Sequence, residues 1–549
     1  MQKKQTILVV ASLLVVVLSV TLAYFTAQII GKGKNVTINS ADLKIIFTDS
    51  DGSISGSNIE PGKWDVTKTF TIENKSNETY KYNIVIQDLV NTFVTEGYLQ
   101  YKITSTNGGY NMAEFKDVPK SSVATDTILA YSVSIPVGVT QSYTVEFIYK
   151  NDESVDQSED MGKILSGKLF ITEGTEEPVT LLSQILKDNP TRDTRDTYNA
   201  VFTNNTTGTL FTATEKNVHN TTDTTVYYYA GNTTKNWVKF GTYASDGPVR
   251  GYYSAAILTY KEYTTLEECN SASSYNTNCS YPWRKGDPMY WRIIRTNADG
   301  SIRLLYSGTS HDTTEGYIAT SEFSPSDNSP KYVGYMYGND GSSLLNARIN
   351  TNNSTIKTAI DNWYASNMTS YTKYLSTTAV YCNDRTEETS GTYNIGSTEF
   401  RYAPYARAYT SYAPTYDCTE ASDAFSVDNT SAKLTYPIAL MTSDEIMRAG
   451  GESATDLTRP YAWYYLNSAN GSIIGGTYWW LLSPDYWNGS YAFVFGVFGS
   501  GNPGRLRWGR VDSDSSVRPA ISLKSCTLYS TGDGSASNPY TILETETGC

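Results

Sequence analysis

The chain has 549 residues, of which only 18% are charged, and its formal net charge is −13 at pH 7. This length exceeds one ordinary hydrophobic core and predicts several domains, while the negative charge disfavours nucleic acid as a partner of the whole molecule. The 45 tyrosines and 40 glycines are typical of a loop-rich, β-rich surface protein.

Residues 1–30 carry an export signal. Lys3 and Lys4 precede an apolar run from Ile7 to Ala23, which predicts a signal peptide cleaved near Ala23. The run is also long enough to span a bilayer, so an uncleaved N-terminal anchor is the alternative. Under either interpretation the rest of the chain is extracellular or at the cell surface, and it meets the membrane only through this segment.

The six cysteines favour disulfides, because their number is even and the chain is predicted to be exported. Proximity along the chain favours one set of pairs, although other connectivities stay open. These pairs are Cys269–Cys279, Cys382–Cys418 and Cys526–Cys549. The chain has no CxxC and only two histidines, His219 and His311, so we expect neither a metal site nor a cofactor.

The first predicted domain spans residues 35–171. Polar and apolar residues alternate in Lys68–Asn74, Tyr82–Gln87 and Tyr143–Tyr149, which predicts an antiparallel β-sandwich. The stretches "LAYFTAQ", "INSADLKI" and "IEPGKWDVTKTFTIENKSNETYKYNIVI" resemble the camelysin/TasA-like family, exported β-sandwich proteins of bacterial surfaces and biofilm matrices. Some members of that family are described as metalloproteases, but this chain has no HExxH, so no protease role is carried over.

An acidic, turn-rich linker is predicted at residues 172–180, followed by a second domain over residues 181–549. Its first helix begins near Leu182 and stops at Pro190. Further along, "YWRIIRTNADGSIRLLYSG" predicts a hairpin that turns through residues 297–300.

Two more helices are predicted in this domain. Ser354 is a candidate N-cap for a helix whose core-facing stripe is Ile356, Ile360 and Trp363. Thr442 and Glu445 form a capping box, and the glycines that follow "MRA" end that helix. Both helices are expected to pack in the core.

Six motifs occur in one order in this second domain. They are "YYYAGNTTKNWVKFG", "YWRIIRTNADGSIRLLYSG", "AVYCNDRT", "LTYPIALMTSDEIMRAGG", "YWWLLSPDYW" and "VRPAISLK". This set resembles the C-type-lectin-fold domains of bacterial surface proteins, a fold shared with formylglycine-generating enzymes, and more narrowly the variable proteins of diversity-generating retroelements. The resemblance implies an α+β chain: an N-terminal antiparallel β-sandwich followed by a C-type-lectin-fold domain with short strands, two or more helices and long loops.

In the variable proteins a hypervariable stretch lies between "WWLxSP" and "VRPA", which correspond here to the flanks of residues 485–516. This stretch contains no Lys, Glu, Gln or Met, the residues that adenine-directed mutagenesis of AAY codons cannot produce. Trp487 and Trp508 cannot arise from AAY codons either, so they must be fixed positions or come from another codon.

The sequence "YAFVFGVFGSGNPGRLRWGRV" predicts a hairpin with strands Ala492–Phe498 and Arg505–Val511. Neither face of these strands is purely apolar, so either one face packs beneath the domain while the other projects outward, or a bulge near the Gly-rich turn shifts the alternation. Clustered aromatic and arginine side chains are typical of protein-binding sites, since they bury much area and offer bidentate hydrogen bonds. The predicted ligand-binding residues are Asp485, Tyr486, Trp487, Ser490, Tyr491, Phe493, Phe495, Phe498, Asn502, Arg505, Arg507, Trp508, Arg510 and Asp512.

An enzyme is not predicted. Two histidines do not support a Ser-His-Asp or Cys-His arrangement, and Asp512 and Asp514 lie in a Ser-rich stretch that is typical of a solvated turn. We predict an exported bacterial surface protein that displays a variable site for a protein or glycan ligand on another cell or phage. The alternative is a biofilm-matrix or fibre component that assembles as a homo-oligomer through the N-terminal domain, and a hydrolase or oxidase with an unrecognised site is a third hypothesis.

Overall fold

The computed structural model describes residues 36–38, 43–47, 52–56, 59–254, 257–339, 341–388, 391–453, 461–466, 478–498, 503–545 and 548–549. The predicted signal peptide or anchor at residues 1–30 and Asn502 of the predicted site lie outside these ranges. The chain divides into two compact units, Met1–Glu177 and Pro178–Cys549.

The described residues of the N-terminal unit form two antiparallel sheets. One has the strand order β1-β2-β4-β9-β6-β7 and the other β3-β10-β5-β8. The strands are β1 (Val36–Ile38), β2 (Leu43–Phe47), β3 (Ser53–Gly56), β4 (Asp65–Asn74), β5 (Tyr80–Asn91), β6 (Leu99–Ser105), β7 (Lys116–Asp117), β8 (Ser121–Ile135), β9 (Thr140–Tyr149) and β10 (Leu165–Glu173).

The alternation in β4 and β9 explains the core of this unit. Phe70 and Ile72 are buried on β4 while their neighbours along the strand are less buried, as expected for a sheet with one face covered. Phe70 pairs with Tyr143 of β9, and the two rings stack with centroids 4.9 Å apart. Ile84 and Ile86 of the other sheet belong to the same buried apolar cluster, so both sheets contribute to one core.

The described part of the C-terminal unit contains six α-helices and many short strands. The helices are α1 (Leu181–Asp188), α2 (Leu266–Ser271), α3 (Leu344–Ala347), α4 (Thr355–Asn367), α5 (Ala403–Tyr409) and α6 (Ser443–Ala449). The first strands are β11 (Thr191–Asp193), β12 (Thr209–Glu215), β13 (Thr224–Tyr228), β14 (Trp237–Thr242), β15 (Val249–Ser254), β16 (Ile257–Tyr263), β17 (Thr277–Ser280), β18 (Pro288–Thr296), β19 (Ile302–Tyr306), β20 (Ala319–Ser321), β21 (Met336–Tyr337) and β22 (Asn352–Asn353). The remaining strands are β23 (Tyr381–Cys382), β24 (Phe400–Arg401), β25 (Ala424–Phe425), β26 (Ile438–Leu440), β27 (Tyr478–Trp487), β28 (Ala492–Phe498), β29 (Leu506–Arg510), β30 (Ser515–Val517), β31 (Pro519–Leu523), β32 (Tyr529–Thr531) and β33 (Tyr540–Ile542).

Two sheets dominate this unit. The larger follows the order β11-β12-β13-β18-β14-β33-β32, with β19, β31 and β26 branching from β18. The second follows the order β20-β30-β27-β28-β29, and β24 also pairs with β27. The second sheet carries the predicted hairpin.

The predicted helices are confirmed. Ser354 caps α4 by accepting the backbone N–H of Lys357, and Ile356 and Ile360 are buried. Thr442 and Glu445 form the capping box of α6, which ends at Gly450 in the left-handed conformation with φ of 113°. The caps satisfy N–H groups that a helix leaves free at its first turn.

The predicted α+β fold class, a β-sandwich followed by a C-type-lectin-fold domain, is wrong. Strands make up 38% of the structure and helices 13%, so the molecule is predominantly β with many antiparallel sheets. The longest described helix, α4, has 13 residues. The segments between helices are rich in Thr and Tyr, which favour extended backbone, and tertiary pairing turns many expected loops into short strands.

Three disulfides join Cys269 to Cys279, Cys382 to Cys418 and Cys526 to Cys549. These are the pairs that proximity along the chain favours. Three disulfides indicate an oxidising, extracellular environment for this chain. Over the ranges that the structure describes, no helix is both long and apolar enough to cross a membrane.

Candidate functional site

The predicted hairpin is formed by β28 and β29. Strand β28 pairs antiparallel with β27 on one side and with β29 on the other. The register between β28 and β29 runs from Phe493 opposite Arg510 to Val497 opposite Leu506 without a shift. Strand β29 ends the strand order of its sheet, and it is one residue shorter at each end than the sequence predicts.

The irregularity lies between β27 and β28 instead. Pro484 pairs with Val494 and Tyr486 pairs with Phe493, so Asp485 is an extra residue between two paired positions. Proline has no N–H to donate to a ladder, and bulges redirect the side chains beside them. The bulge places Asp485 in the interior while its neighbour Tyr486 is only half-buried.

Four of the predicted binding residues are buried: Asp485, Trp487, Phe493 and Phe495. The indole N–H of Trp487 donates to the carbonyl oxygen of Gly396 at 2.9 Å. The ring of Phe495 stacks on Tyr409 of α5 with centroids 5.8 Å apart. These side chains support the hairpin from within the unit.

An aromatic platform lies above this support. The rings of Tyr486 and Phe493 stack with centroids 4.5 Å apart and an interplanar angle of 6°. Trp508 presents its edge to both, at 5.0 Å from Phe493 and 6.0 Å from Tyr486, yet 37% of it is exposed. Such stacked and edge-on contacts hold an exposed ring in one orientation at little further entropic cost on binding.

The arginines surround this platform. Arg507 lies over the rings of Trp508 and Phe498, at 5.0 and 5.4 Å from their centroids, and has no ion pair with any described residue. Arg510 lies 4.5 Å over Tyr491 and forms ion pairs with carboxylates of neighbouring aspartates. Those carboxylates belong to Asp327 at 2.8 Å and Asp512 at 2.7 Å.

The other predicted residues contribute less to the exposed surface of the hairpin. Arg505 is half-buried and donates its Nε hydrogen to the carbonyl oxygen of Ser453 at 3.0 Å. Ser490 is exposed in the turn before β28, and Phe498 is half-buried at its end. We therefore define the hairpin surface as Tyr486, Tyr491, Arg507, Trp508 and Arg510.

Burial raises the pKa of Tyr486 to about 12, so its hydroxyl remains protonated at neutral pH and can donate a hydrogen bond. With Trp508, the hairpin surface thus offers aromatic area and a phenol donor beside two guanidinium groups. Guanidinium groups hydrogen-bond carboxylates in a bidentate manner and stack on aromatic rings. This combination suits a protein surface that carries exposed acidic or aromatic side chains.

Helix α5 also contributes to the hairpin surface, although it is not among the predicted site residues. Tyr405 contacts Tyr486 at 6.3 Å between ring centroids, and Arg401 lies 4.2 Å over the ring of Tyr405. Tyr405 and Tyr409 are four residues apart, a spacing that predicts one helix face. The sequence "YAPYARAYT" contains this spacing, but the spacing alone does not show which strand the helix face contacts.

The carboxyl group of Asp485 is the most unusual group near the hairpin. It is fully buried, and neither of its oxygens has a hydrogen-bond partner among the described residues. Burial raises its pKa well above the ordinary value of 3.8, and the nearby charge of Arg401 opposes the rise. A buried carboxyl group with a raised pKa and no hydrogen-bond partner among the described residues therefore lies on β27, the strand beside the hairpin.

Neither histidine lies at the hairpin. The Nε2 atom of His219 is 2.8 Å from the Oγ atom of Ser426, and His311 lines a separate cavity. Among the described residues, no group of three or more His, Cys, Asp or Glu is placed to hold a metal ion.

Comparisons with known proteins do not assign this chain to a family. No family model matches the chain, and no curated protein matches it. One solved chain, from a study titled "Chaperone-tip adhesin complex is vital for synergistic activation of CFA/I fimbriae biogenesis", is 12% identical and covers 44% of this chain and 90% of its own length. Its TM-score is 0.08.

Proposed function

We propose that this chain is an exported bacterial surface protein whose C-terminal unit binds a protein on another cell or phage through the hairpin surface. The observation that carries the proposal is Trp508, an exposed indole held against Phe493 and Tyr486 with Arg507 over its ring. Tryptophan, tyrosine and arginine dominate the binding energy of protein interfaces when they are grouped and preorganised.

The sequence supports the same proposal. The hairpin surface lies between "WWLLSP" and "VRPAISL", where the variable proteins of diversity-generating retroelements place their hypervariable residues. Exposed positions on a rigid sheet tolerate substitution, since their side chains contribute little to the core. Variation among isolates that falls on the exposed members of residues 485–516 and spares the buried Trp487, Phe493 and Phe495 would strengthen it.

The test uses the full chain immobilised on beads and incubated with intact bacterial cells or purified phage. Trp508→Ala is expected to lower the number of adhering cells or particles about tenfold, which corresponds to about 1.4 kcal/mol. Tyr253→Ala is the matched control, because Tyr253 is an aromatic residue of the same unit with 60% exposure and lies on β15. Its adhesion should equal that of the original chain.

Sedimentation of the same variants separates this proposal from a matrix or fibre role. Unchanged assembly of Trp508→Ala, together with lost adhesion, supports ligand binding. Equal adhesion of Trp508→Ala and the original chain, or loss of assembly in Trp508→Ala, contradicts it and favours the fibre alternative.

A further inference from the structure

A second feature of the C-terminal unit is a cavity of about 320 Å³ that is separate from the hairpin surface. We call it the arginine cavity and define it by Asn232, Thr233, Trp237, Arg292, His311 and Tyr464. Its remaining described lining combines three hydroxyl-bearing residues with two apolar ones: Thr234, Ser535, Ser537, Ala536 and Trp463. Cavities of this size hold small organic ligands.

Arg292 is buried in the wall of this cavity with 3% exposure. Its Nε atom donates to Oδ1 of Asn236 at 2.6 Å, and its Nη2 atom donates to the carbonyl oxygen of Thr233 at 2.9 Å. Its guanidinium lies 4.1 Å over the ring of Trp237. The third nitrogen, Nη1, donates to none of the described residues. One edge of the guanidinium group is therefore available to a ligand.

Arg292 has no carboxylate partner among the described residues, and neither has the nearby Arg518. Arg518 is fully buried and donates to the carbonyl oxygens of Tyr306 and Tyr465. Two buried cations therefore lie near each other, and neither forms an ion pair with a carboxylate of the described residues. Burial of an unpaired ion costs several kcal/mol, so buried charges in proteins are normally paired.

Neither arginine escapes this cost by losing its proton at neutral pH. Burial, together with the neighbouring charge of Arg518, lowers the pKa of Arg292 to about 9. Burial likewise lowers the pKa of Arg518 to about 9. Both groups stay positively charged at pH 7, and an anion is the missing partner.

The cavity also contains polar atoms without partners. The Oγ1 atom of Thr233 and the hydroxyl group of Tyr464 are buried and have no hydrogen-bond partner among the described residues. Nδ1 of His311 is also buried and has no hydrogen-bond partner among the described residues. Three such atoms belong to residues that line one cavity, and this grouping suits a ligand that hydrogen-bonds them.

We infer that the arginine cavity binds an acidic sugar residue, whose carboxylate is held by Arg292 and whose hydroxyl groups bond Thr233, Tyr464 and the serine and amide groups of the lining. A carboxylate supplies the missing negative charge and matches the planar guanidinium fork. The lining presents hydroxyl groups together with the indoles of Trp237 and Trp463, and this mixture matches a sugar, with its hydroxyl groups and apolar ring face, better than a simple carboxylate. This site acts independently of the hairpin surface, so either can fail alone.

The test is calorimetric titration of the full chain at pH 7 in chloride-free buffer with sodium glucuronate, N-acetylneuraminate, glucose and sodium acetate. Saturable binding of an acidic sugar is expected, with glucose and acetate at least about tenfold weaker, because glucose lacks the carboxylate that Arg292 holds and acetate lacks the hydroxyl groups that the lining bonds. No saturable binding of either acidic sugar, or equal binding of glucose or acetate, overturns the inference.

Two variants locate the site. Arg292→Met should abolish binding, while Thr233→Val should weaken it about three- to tenfold without lowering the melting temperature, since the Oγ1 atom that it removes bonds nothing in the described structure. Thr527→Val is the matched control, because Thr527 is equally buried with an unpartnered Oγ1 atom but does not line the cavity. Equal affinity of Thr233→Val and Thr527→Val, with both folded, contradicts the assignment even if Arg292→Met fails to fold.

Discussion

Two arginines on the same strand, β18, have opposite surroundings. Arg295 is paired with Glu215 at 2.6 Å and Glu445 at 2.9 Å, and Glu445 also pairs with Arg303 at 2.8 Å. All four groups are buried. Three residues away, Arg292 has a buried guanidinium and no carboxylate partner among the described residues.

The difference shows two uses of a buried charge. The paired cluster, defined as Glu215, Arg295, Arg303 and Glu445, is internally neutral and links segments far apart in the chain. In the carboxylate-free pair, Arg292 and Arg518, neither cation has a carboxylate partner among the described residues, and Arg292 lines a cavity. Structural charges are satisfied within the protein, whereas functional sites retain groups that only a ligand satisfies.

The largest expected effect follows from breaking the paired cluster with Glu445→Gln. Glutamine keeps the capping box of α6, so the substitution removes chiefly the charge. Two buried guanidinium groups then lose a shared partner, and the free energy of unfolding should fall by about 3–5 kcal/mol. Urea denaturation of the full chain measures the loss.

The control for this substitution is Glu60→Gln. Glu60 pairs with Lys63 at 2.8 Å, but both side chains are exposed, so no measurable change in stability is expected. Similar losses in the free energy of unfolding for Glu445→Gln and Glu60→Gln would show that the paired cluster stabilises the fold no more than an exposed ion pair does.

A smaller loss is expected when the disulfide beside the paired cluster is removed. Cys382 lines the same small cavity as Arg295 and Arg303, and its bond to Cys418 closes a separation of 36 residues. Replacing both cysteines by serine should cost about 2–4 kcal/mol in the free energy of unfolding. Thermal unfolding under non-reducing conditions measures it.

The Cys269–Cys279 bond provides the comparison, since it closes a separation of only 10 residues. Its double serine variant should lose about 1 kcal/mol less, because loop-closure entropy grows with loop length. A larger loss at Cys269–Cys279 would contradict this expectation.

Asp485 is a buried acid without a hydrogen-bond partner among the described residues, and its contribution to stability depends on pH. Its pKa is raised by burial, so the folded state holds a proton that the unfolded state has lost above about pH 4. Stability therefore falls as pH rises above that value, by at most about 1.4 kcal/mol per pH unit. Asp485→Asn should remove this component and be relatively more stable at pH 8 than at pH 4.

Asp533→Asn is the control of opposite sign. Hydrogen bonds from Ser535 and the charge of Lys235 lower the pKa of Asp533 to about 2, so its contribution is present above about pH 4 and is lost as pH falls towards 2. Urea denaturation at a series of pH values checks both. An unchanged pH profile in Asp485→Asn would show that this carboxyl titrates normally.

The smallest effect on stability is expected at the hairpin surface. Arg510 pairs with Asp327 and Asp512, but its side chain is 43% exposed. Exposed ion pairs contribute little and are screened by salt, so Arg510→Ala should leave the melting temperature unchanged. A clear drop in the melting temperature would place Arg510 with the paired cluster as a structural charge.

Local patterns predicted much of the secondary structure. The N-caps at Ser354 and Thr442 and the strand Ala492–Phe498 all depend on residues within a few positions of one another. The overall class was wrong, because short extended segments such as β20 and β24 acquire strand character only by pairing with distant partners. Pairing between distant segments leaves no periodic signal in either segment alone.

The sequence by itself determined the export setting, through six cysteines that form three disulfides, and the grouping of aromatic and arginine residues in one hairpin. Only the tertiary structure decided which of these groups are exposed, as the bulge at Pro484 buries Asp485 while Trp508 remains accessible. It also decided which arginines are paired, since Arg295 meets carboxylates 80 and 150 residues away and Arg292 meets none that is described. Burial and charge compensation are properties of contacts between distant segments, and a linear pattern does not contain them.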